Sequence, residues 1–411
     1  MRSVACTVVG GGPAGMVLGL LLARSGVEVA VLEQHPDYLR DFRGDTVHAS
    51  TLGLLDELGL GERFAALPQQ RERRLTVRFD DGGFDEDFGR LPGRHQHVAL
   101  VPQWDFLDLL ATAGRESPHF HLVQNARVTG VIREGAAVRG VRYLDKGGMV
   151  REVRSALVVA ADGRHSTMRD LLGLRPKNIG APHDCLYVRI PRLPGDPKLT
   201  HLRFSASGGL IMINRGDYWQ TALLIGKGEA AAARADDGAR TRELIVRLAP
   251  YLAERAESIG AADIAALQIR IDRLERWWAP GVLFIGDAAH AMSPIAGVGI
   301  NLAIQDAVAA ARVLVPGLRN GHVTTRDLAR VQRRRRWPAL VTQGIQRAAQ
   351  KRFVAASMDG SGAAAEPLRV PQPLRTLRHL PGFSGLLGRL VALGVRPEHL
   401  TGSLAPLNGR C

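Results

Sequence analysis

The stretch Val4–Glu33, VACTVVGGGPAGMVLGLLLARSGVEVAVLE, decides the fold. Val4–Val9 is β-prone and runs into Gly10-Gly11-Gly12-Pro13; Ala14–Arg24 has helical character, and after Gly26 a second β-prone run, Val27–Leu32, ends at Glu33. Strand, glycine turn, helix and strand form a complete βαβ unit. The turn reads Gly10-x-Gly12-x-x-Gly15. In such a turn the first glycine makes the tight bend, the second lets backbone amides approach a pyrophosphate, and the third allows close packing of helix on strand. The helix opening at Pro13 and Ala14 then faces the phosphates with its positive end. Glu33, followed by Gln34, stands where a carboxylate accepts both ribose hydroxyls of an adenosine, and it disfavours a 2′-phosphate, so this half is read as holding FAD or NAD. Ser3–Ala23 carries no charge and could pass for a signal peptide or membrane span, but its glycine-proline cluster would break a spanning helix in the middle.

The rest of the composition sets bounds. A chain of 411 residues, 45% apolar and 23% charged, can bury a large core. Cys6, Cys185 and Cys411 are an odd count with no close pair, so neither a disulfide framework nor a zinc site is indicated and no metal is expected; a reducing cytoplasm is the default. The balance of 54 basic to 40 acidic residues gives +14. That excess is nearly all arginine, spread along the chain with only 5% aromatic residues, and nothing interleaves basic with stacking side chains, so nucleic acid is not expected as a partner. The densest run, Arg333–Arg336, is read as the solvated face of a helix.

Two further apolar runs end in aspartates. Leu157–Ala161 leads into Asp162-Gly163-Arg164-His165-Ser166, with Arg169 beyond, and Val282–Ile285 leads into Gly286-Asp287-Ala288-Ala289-His290. Ligands of open parallel sheets lie beyond the carboxyl ends of the strands, so both aspartates project toward the crevice of the glycine turn. Either can accept from ribityl or ribose hydroxyls, and either can be a helix N-cap. After Asp287, Ser293-Pro294-Ile295-Ala296-Gly297-Val298-Gly299-Ile300-Asn301 is a Pro/Gly loop feeding a helix over Leu302–Leu314. Small residues admit a planar ligand, and amides at a helix start can hold the negative charge of a reduced flavin.

These three motifs, in this order, resemble the single-component flavoprotein aromatic hydroxylases, the superfamily of para-hydroxybenzoate hydroxylase and the ubiquinone hydroxylases. The resemblance spans residues 4 to about 340. It implies FAD held by Gly10, Gly12, Pro13, Ala14, Gly15, Glu33, Gln34, Asp162, Gly286, Asp287, Pro294, Gly297, Val298, Gly299, Ile300 and Asn301. Arg43, in Arg43-Gly44-Asp45, resembles the arginine that approaches the FAD pyrophosphate; Gln103 matches a contact at a helix start, and Arg127-Val128 lies where family members place backbone against adenine. Arg333–Pro338 resembles the basic segment, ending in Arg-x-Pro, that follows the flavin helix. The implied reaction is reduction by NAD(P)H, docking transiently, then O2 addition to give a C4a-hydroperoxyflavin that hydroxylates an aromatic or polycyclic molecule.

The expected fold is α/β, α+β overall: a discontinuous Rossmann-like FAD-binding domain over 1–74, 92–182 and 271–340, an interleaved, largely antiparallel substrate sheet over 75–91 and 183–270, and a C-terminal helical segment over 341–411. Leu75–Leu91 has a hairpin-like Asp80-Asp81-Gly82-Gly83, His183–Lys227 holds alternating runs, and 228–270 reads as helical with Leu244, Leu248 and Leu252 on one face. Asp45, His48, Pro294 and Gly299 are the candidates for a catalytic role, with Thr46, Arg203, Tyr218 and His290 as further polar groups; His290 is read as support for the loop after Asp287. Pro367, Pro371 and Pro373 mark a linker, and Leu380–Leu393 is either a docked helix or a shallow membrane contact. No stable membrane span is expected, and the chain is read as a cytoplasmic monomer or homodimer. Within the same fold a reductase or a halogenase is the alternative, although Trp104, Trp219, Trp277, Trp278 and Trp337 supply no W-x-W-x-I-P segment; a non-catalytic flavin sensor is a third reading.

Overall fold

The computed structural model describes residues 3–38, 46–353, 367–370, 372, 375, 383–401 and 404. Its first sheet has eight strands, and the path across it runs Phe120–Val123, Val29–Leu32, Ser3–Val9, Val150–Ala160, Val282–Phe284, Trp278–Ala279. The first four junctions are parallel, with Cys6 opposite Val29 on one side and Leu157 on the other. Val150–Ala160 serves three partners: its later part pairs with Ser3–Val9 on one side and Val282–Phe284 on the other, while its first half pairs antiparallel with Ala137–Leu144 of a hairpin. Helix Pro13–Arg24 is buried along ten consecutive residues, Ala14 to Ala23, because it lies between this sheet and the long helix Val298–Arg319. A Cβ on Gly19 would stand 2.6 Å from Val31 Cγ2 and 2.9 Å from Phe120, so glycine sets how closely helix and sheet approach.

The second sheet has seven strands in the order Ala265–Leu267, His183–Pro191, Tyr218–Gly226, Gly208–Asn214, His201–Ser205, Arg74–Phe79, Gly82–Asp87. All its junctions are antiparallel except that between Arg74–Phe79 and His201–Ser205. One face buries Trp219, Leu223 and Ile225 against Ile245, Leu248 and Leu252. The other gathers Val77, Phe79, Tyr187, Phe204 and Leu224, with Phe79 stacked on Phe204 at 5.8 Å and on Phe84 at 6.5 Å.

Several expectations need correction. Residues 228–270 are not continuously helical: Ala232–Ala235, Ala239–Leu248 and Ala253–Ala256 are short helices, and the segment returns to the sheet at Ala265–Leu267. Gly238, at φ 79°, and the proline at Pro250 break the run that alanine content suggested. The helix expected from Leu302 begins at Val298 and continues through Pro316 to Arg319. By length and composition it could cross a membrane, yet most of its apolar stretch is buried inside the fold. Phe383–Ala392 is helical and docks, since Ala392 is fully buried with Ala49, Phe88, Leu91 and Val98. Pro371 and Pro373 lie outside the described residues, as do Arg43, Asp45 and Cys411.

Candidate functional site

At the phosphate end, Gly10 has φ 106°, and a Cβ there would lie 2.4 Å from the Ala161 carbonyl oxygen and 2.8 Å from Asp162 Cα. The first motif therefore presses directly on the second. A Cβ on Gly15 would sit 1.9 Å from Gly10 O, which closes the bend, whereas one on Gly12 would meet nothing within 4 Å. Gly12 is the N-cap of Pro13–Arg24 and supplies no side chain to cap it. An open, uncapped helix start of this kind fits a pyrophosphate.

Glu33 is 3% exposed. Its Oε2 accepts from Gly11 N at 2.8 Å, and its Oε1 accepts from His35 N at 3.1 Å and pairs with His35 Nδ1 at 2.6 Å. The carboxylate thus ties the glycine turn to the end of Val29–Leu32. Ala126 N donates to Glu33 O at 2.8 Å, which brings Arg127 and Val128 beside this strand end. Gln34 and Arg127 are exposed, and Gln103 opens helix Gln103–Arg115.

The second and third motifs are clasped by Arg169, which is 4% exposed. Its Nε donates to Ala288 O at 2.6 Å, its Nη2 donates to Asp287 O at 2.8 Å, and its guanidinium spans the Asp272 carboxylate at 3.1 and 3.3 Å. Asp162 accepts from Ser166 Oγ at 2.6 Å and from Met168 N at 2.9 Å; burial raises its carboxyl pKa despite these bonds. Asp287 meets Arg164 Nη2 at 3.2 Å. Neither aspartate is itself an N-cap, since Ser166 and Gly286 hold those positions. Gly286 has φ 58°, and a Cβ there would touch Ala303 Cβ at 3.1 Å and Ala14 Cβ at 3.4 Å. All three motifs therefore meet at one junction.

The loop after His290 turns sharply. Ala296 and Gly297 have φ 64° and 62°, and a Cβ on Gly297 would lie 2.6 Å from Thr46 Cβ. Helix Val298–Arg319 then starts with no side-chain cap, so Val298, Gly299 and Ile300 form its first turn behind Pro294. Asn301 is saturated: Oδ1 accepts from His48 N at 2.9 Å and Thr51 Oγ1 at 2.7 Å, while Nδ2 donates to Thr46 O and Gly297 O, each at 3.0 Å. Any contact it makes with a bound group runs through its main chain. His48 is 1% exposed and pairs through Nδ1 with Val391 O at 2.7 Å; burial pushes its pKa down to about 4, so it is a neutral anchor for the C-terminal helix. Arg203 is engaged by Asp80 at 2.8 Å, and Tyr218 lies under the Arg189 guanidinium at 3.8 Å.

The sequence reading missed Asp306. Its Oδ2 accepts from Gly286 N at 3.1 Å and pairs with His290 Nε2 at 2.5 Å, and its Oδ1 accepts from Arg335 Nε at 2.9 Å. Burial alone would raise this carboxyl, but His290 and Arg335 outweigh it and hold it below the ordinary range. The basic run is corrected by the same contact: Arg333 and Arg336 face solvent, but Arg335 is 1% exposed. A lone acid on an apolar helix followed by an arginine cluster was the available signal.

Comparison with known proteins agrees with this geometry. A profile described as an FAD binding domain matches residues 3–343. The 6-methylpretetramide 4-monooxygenase of Streptomyces rimosus is 35% identical over 345 residues, covering 80% of this chain and 79% of the relative. Among solved structures, the anhydrotetracycline hydroxylase OxyS of the same species superposes with a TM-score of 0.76 at 25% identity, covering 97% of this chain and 77% of the other. A flavin-dependent brominase superposes at 0.77 with 17% identity, covering 95% and 94%, which shows the shared fold alone.

Proposed function

Because the chain belongs to the FAD-binding family of flavoprotein aromatic hydroxylases, we propose that it is a monooxygenase that uses NAD(P)H and O2 to place one oxygen atom on an aromatic or polycyclic small molecule. The observation that carries this reading is the junction of the three motifs, where Gly10 meets Asp162 and Gly286 meets Ala14 beside an uncapped helix start. FAD, when bound, supplies the hydride acceptor and activates O2. The chain's residues do the holding: Gly12 to Gly15 receive the pyrophosphate, Glu33 the adenosine ribose, and Asp162 and Asp287 the polar chain between. The uncapped first turn of Val298–Arg319 would supply amides able to hold negative charge on the reduced cofactor.

The segments 75–91 and 183–270 form the substrate domain in this reading, and the aromatic face of Phe79, Phe84, Tyr187 and Phe204 supports a flat apolar substrate. The brominase with the same fold keeps halogenation as the second reading. One experiment separates them. FAD-loaded protein is supplied with NADH or NADPH, labelled O2, bromide or chloride, and a panel of phenols and polycyclic aromatics. Substrate-stimulated NAD(P)H oxidation with one labelled oxygen in the product is expected. A halogenated product, or reduction of the acceptor without label, overturns the monooxygenase reading.

A further inference from the structure

At the end of helix Val298–Arg319 remote from the flavin loop, an open cleft of about 620 Å³ separates it from the first turns of Thr325–Phe353. Its walls carry Arg312, Arg330, Arg333, Arg334 and Arg396. Asp327 is the one acid among the described lining residues, and its charge is spent on the helix start: Oδ2 accepts from Thr324 N at 3.1 Å and Thr324 Oγ1 at 2.7 Å. Arg330 approaches it only to 3.6 Å. Under the wall Glu398 is fully buried and shared by three guanidiniums: Arg334 grips it with two nitrogens at 2.6 and 2.7 Å, Arg312 reaches it at 3.4 Å and Arg335 at 3.6 Å. Arg335 in turn belongs to Asp306. Arg312 Nε is buried and bonds to nothing among the described residues, and Arg333 and Arg396 have no carboxylate partner among them. Six guanidiniums thus stand against three carboxylates, with the surplus turned into the cleft.

A floor of guanidiniums pinned by Glu398, rimmed by Arg333 and Arg396 without a carboxylate partner among the described residues, matches a phosphate chain, whose oxygens accept bidentately from guanidinium. Arg312 lies about 21 Å along the helix from Val298 at 1.5 Å per residue. We propose that this cleft is a second binding site, separate from the FAD site, for a multiply charged phosphate ligand, the diphosphate or triphosphate part of a nucleotide. The inference stands independently of the monooxygenase reading.

The test is calorimetric titration of inorganic pyrophosphate into FAD-saturated protein at near-physiological salt. Saturable binding at one site is expected, weakened at least tenfold in an Arg330→Gln/Arg333→Gln variant. Arg133→Gln, which removes an exposed arginine from the strand Arg127–Glu134, is expected to bind as the parent does. Competition then identifies the source: displacement by ATP and ADP alone marks a terminal phosphate chain, and displacement by NADH and NADPH as well marks the internal diphosphate of a dinucleotide. Absence of saturable binding, release of FAD by pyrophosphate, equal weakening by Arg133→Gln, or no displacement by any nucleotide overturns the proposal.

Discussion

Asp306 and Arg335 together fix the turn that carries Asp287, because the carboxylate holds Gly286 N and His290 from one side while the guanidinium neutralises it from the other. Both are at most 1% exposed, so removing one partner leaves the other charge under-compensated, with only His290 beside Asp306 or Glu398 at 3.6 Å from Arg335. Arg335→Met is therefore expected to cost about 3–5 kcal/mol of stability, and the pair Asp306→Asn/Arg335→Met to cost clearly less than the two single changes added together. Urea unfolding of all four proteins measures this, and additive losses would show that the pair is not coupled. The loop beyond separates two glycines that look alike in the sequence. Gly297→Ala meets both a left-handed backbone and Thr46, and is expected to lose roughly 1–3 kcal/mol. Gly299→Ala places its Cβ 3.7 Å from Met292 Cγ, an ordinary contact, and is expected to fold like the parent, as thermal melts of the two variants can check. The glycine turn and both aspartates were legible because each motif is local in sequence. Asp306 was not, since its meaning depends on an arginine 29 residues away that reads as part of a solvated run.

The C-terminal helix Phe383–Ala392 shows the same limit for an element. Its apolar character was legible, but what it covers was not: it lies over Gly82–Asp87, where a Cβ on Gly388 would be 2.5 Å from Glu86 Oε1. Burial raises the Glu86 carboxyl to about 7; Asp87 adds to the rise, while the Gly388 backbone and Arg90 oppose it. A carboxyl raised by folding favours the protonated fold, so its penalty is absent below the unfolded value, grows as pH climbs toward 7, and is complete above it. Glu86→Gln is accordingly expected to stabilise the protein by roughly 1–2 kcal/mol at pH 8 and by much less at pH 5. Denaturant melts at the two pH values test this, and an equal gain at both would rule out the titration. Alanine-rich 228–270 misled for a related reason, since composition does not register a left-handed glycine or a return strand.

Across the whole molecule, four strands of the parallel sheet were readable because each is followed closely by its motif, and Phe120–Val123, which has none, was not; nor was the order of the second sheet, because its strands find partners far away in the chain. The brominase with this architecture makes the complementary point that the shared fold leaves the chemistry to the site. One junction of the second sheet bears on how the protein is made. Arg74–Phe79 pairs with His201–Ser205, which follows it by more than a hundred residues. At about 5–20 residues per second of synthesis, the early hairpin waits roughly 6–25 s for that partner. During that time Phe79 has Phe84 but no Phe204 to lie against, and one hydrogen-bonding edge of Arg74–Phe79 stays open. The nascent chain therefore passes through an interval of exposed apolar strand that the finished protein never displays, and a ribosome stalled within it would release a sticky fragment.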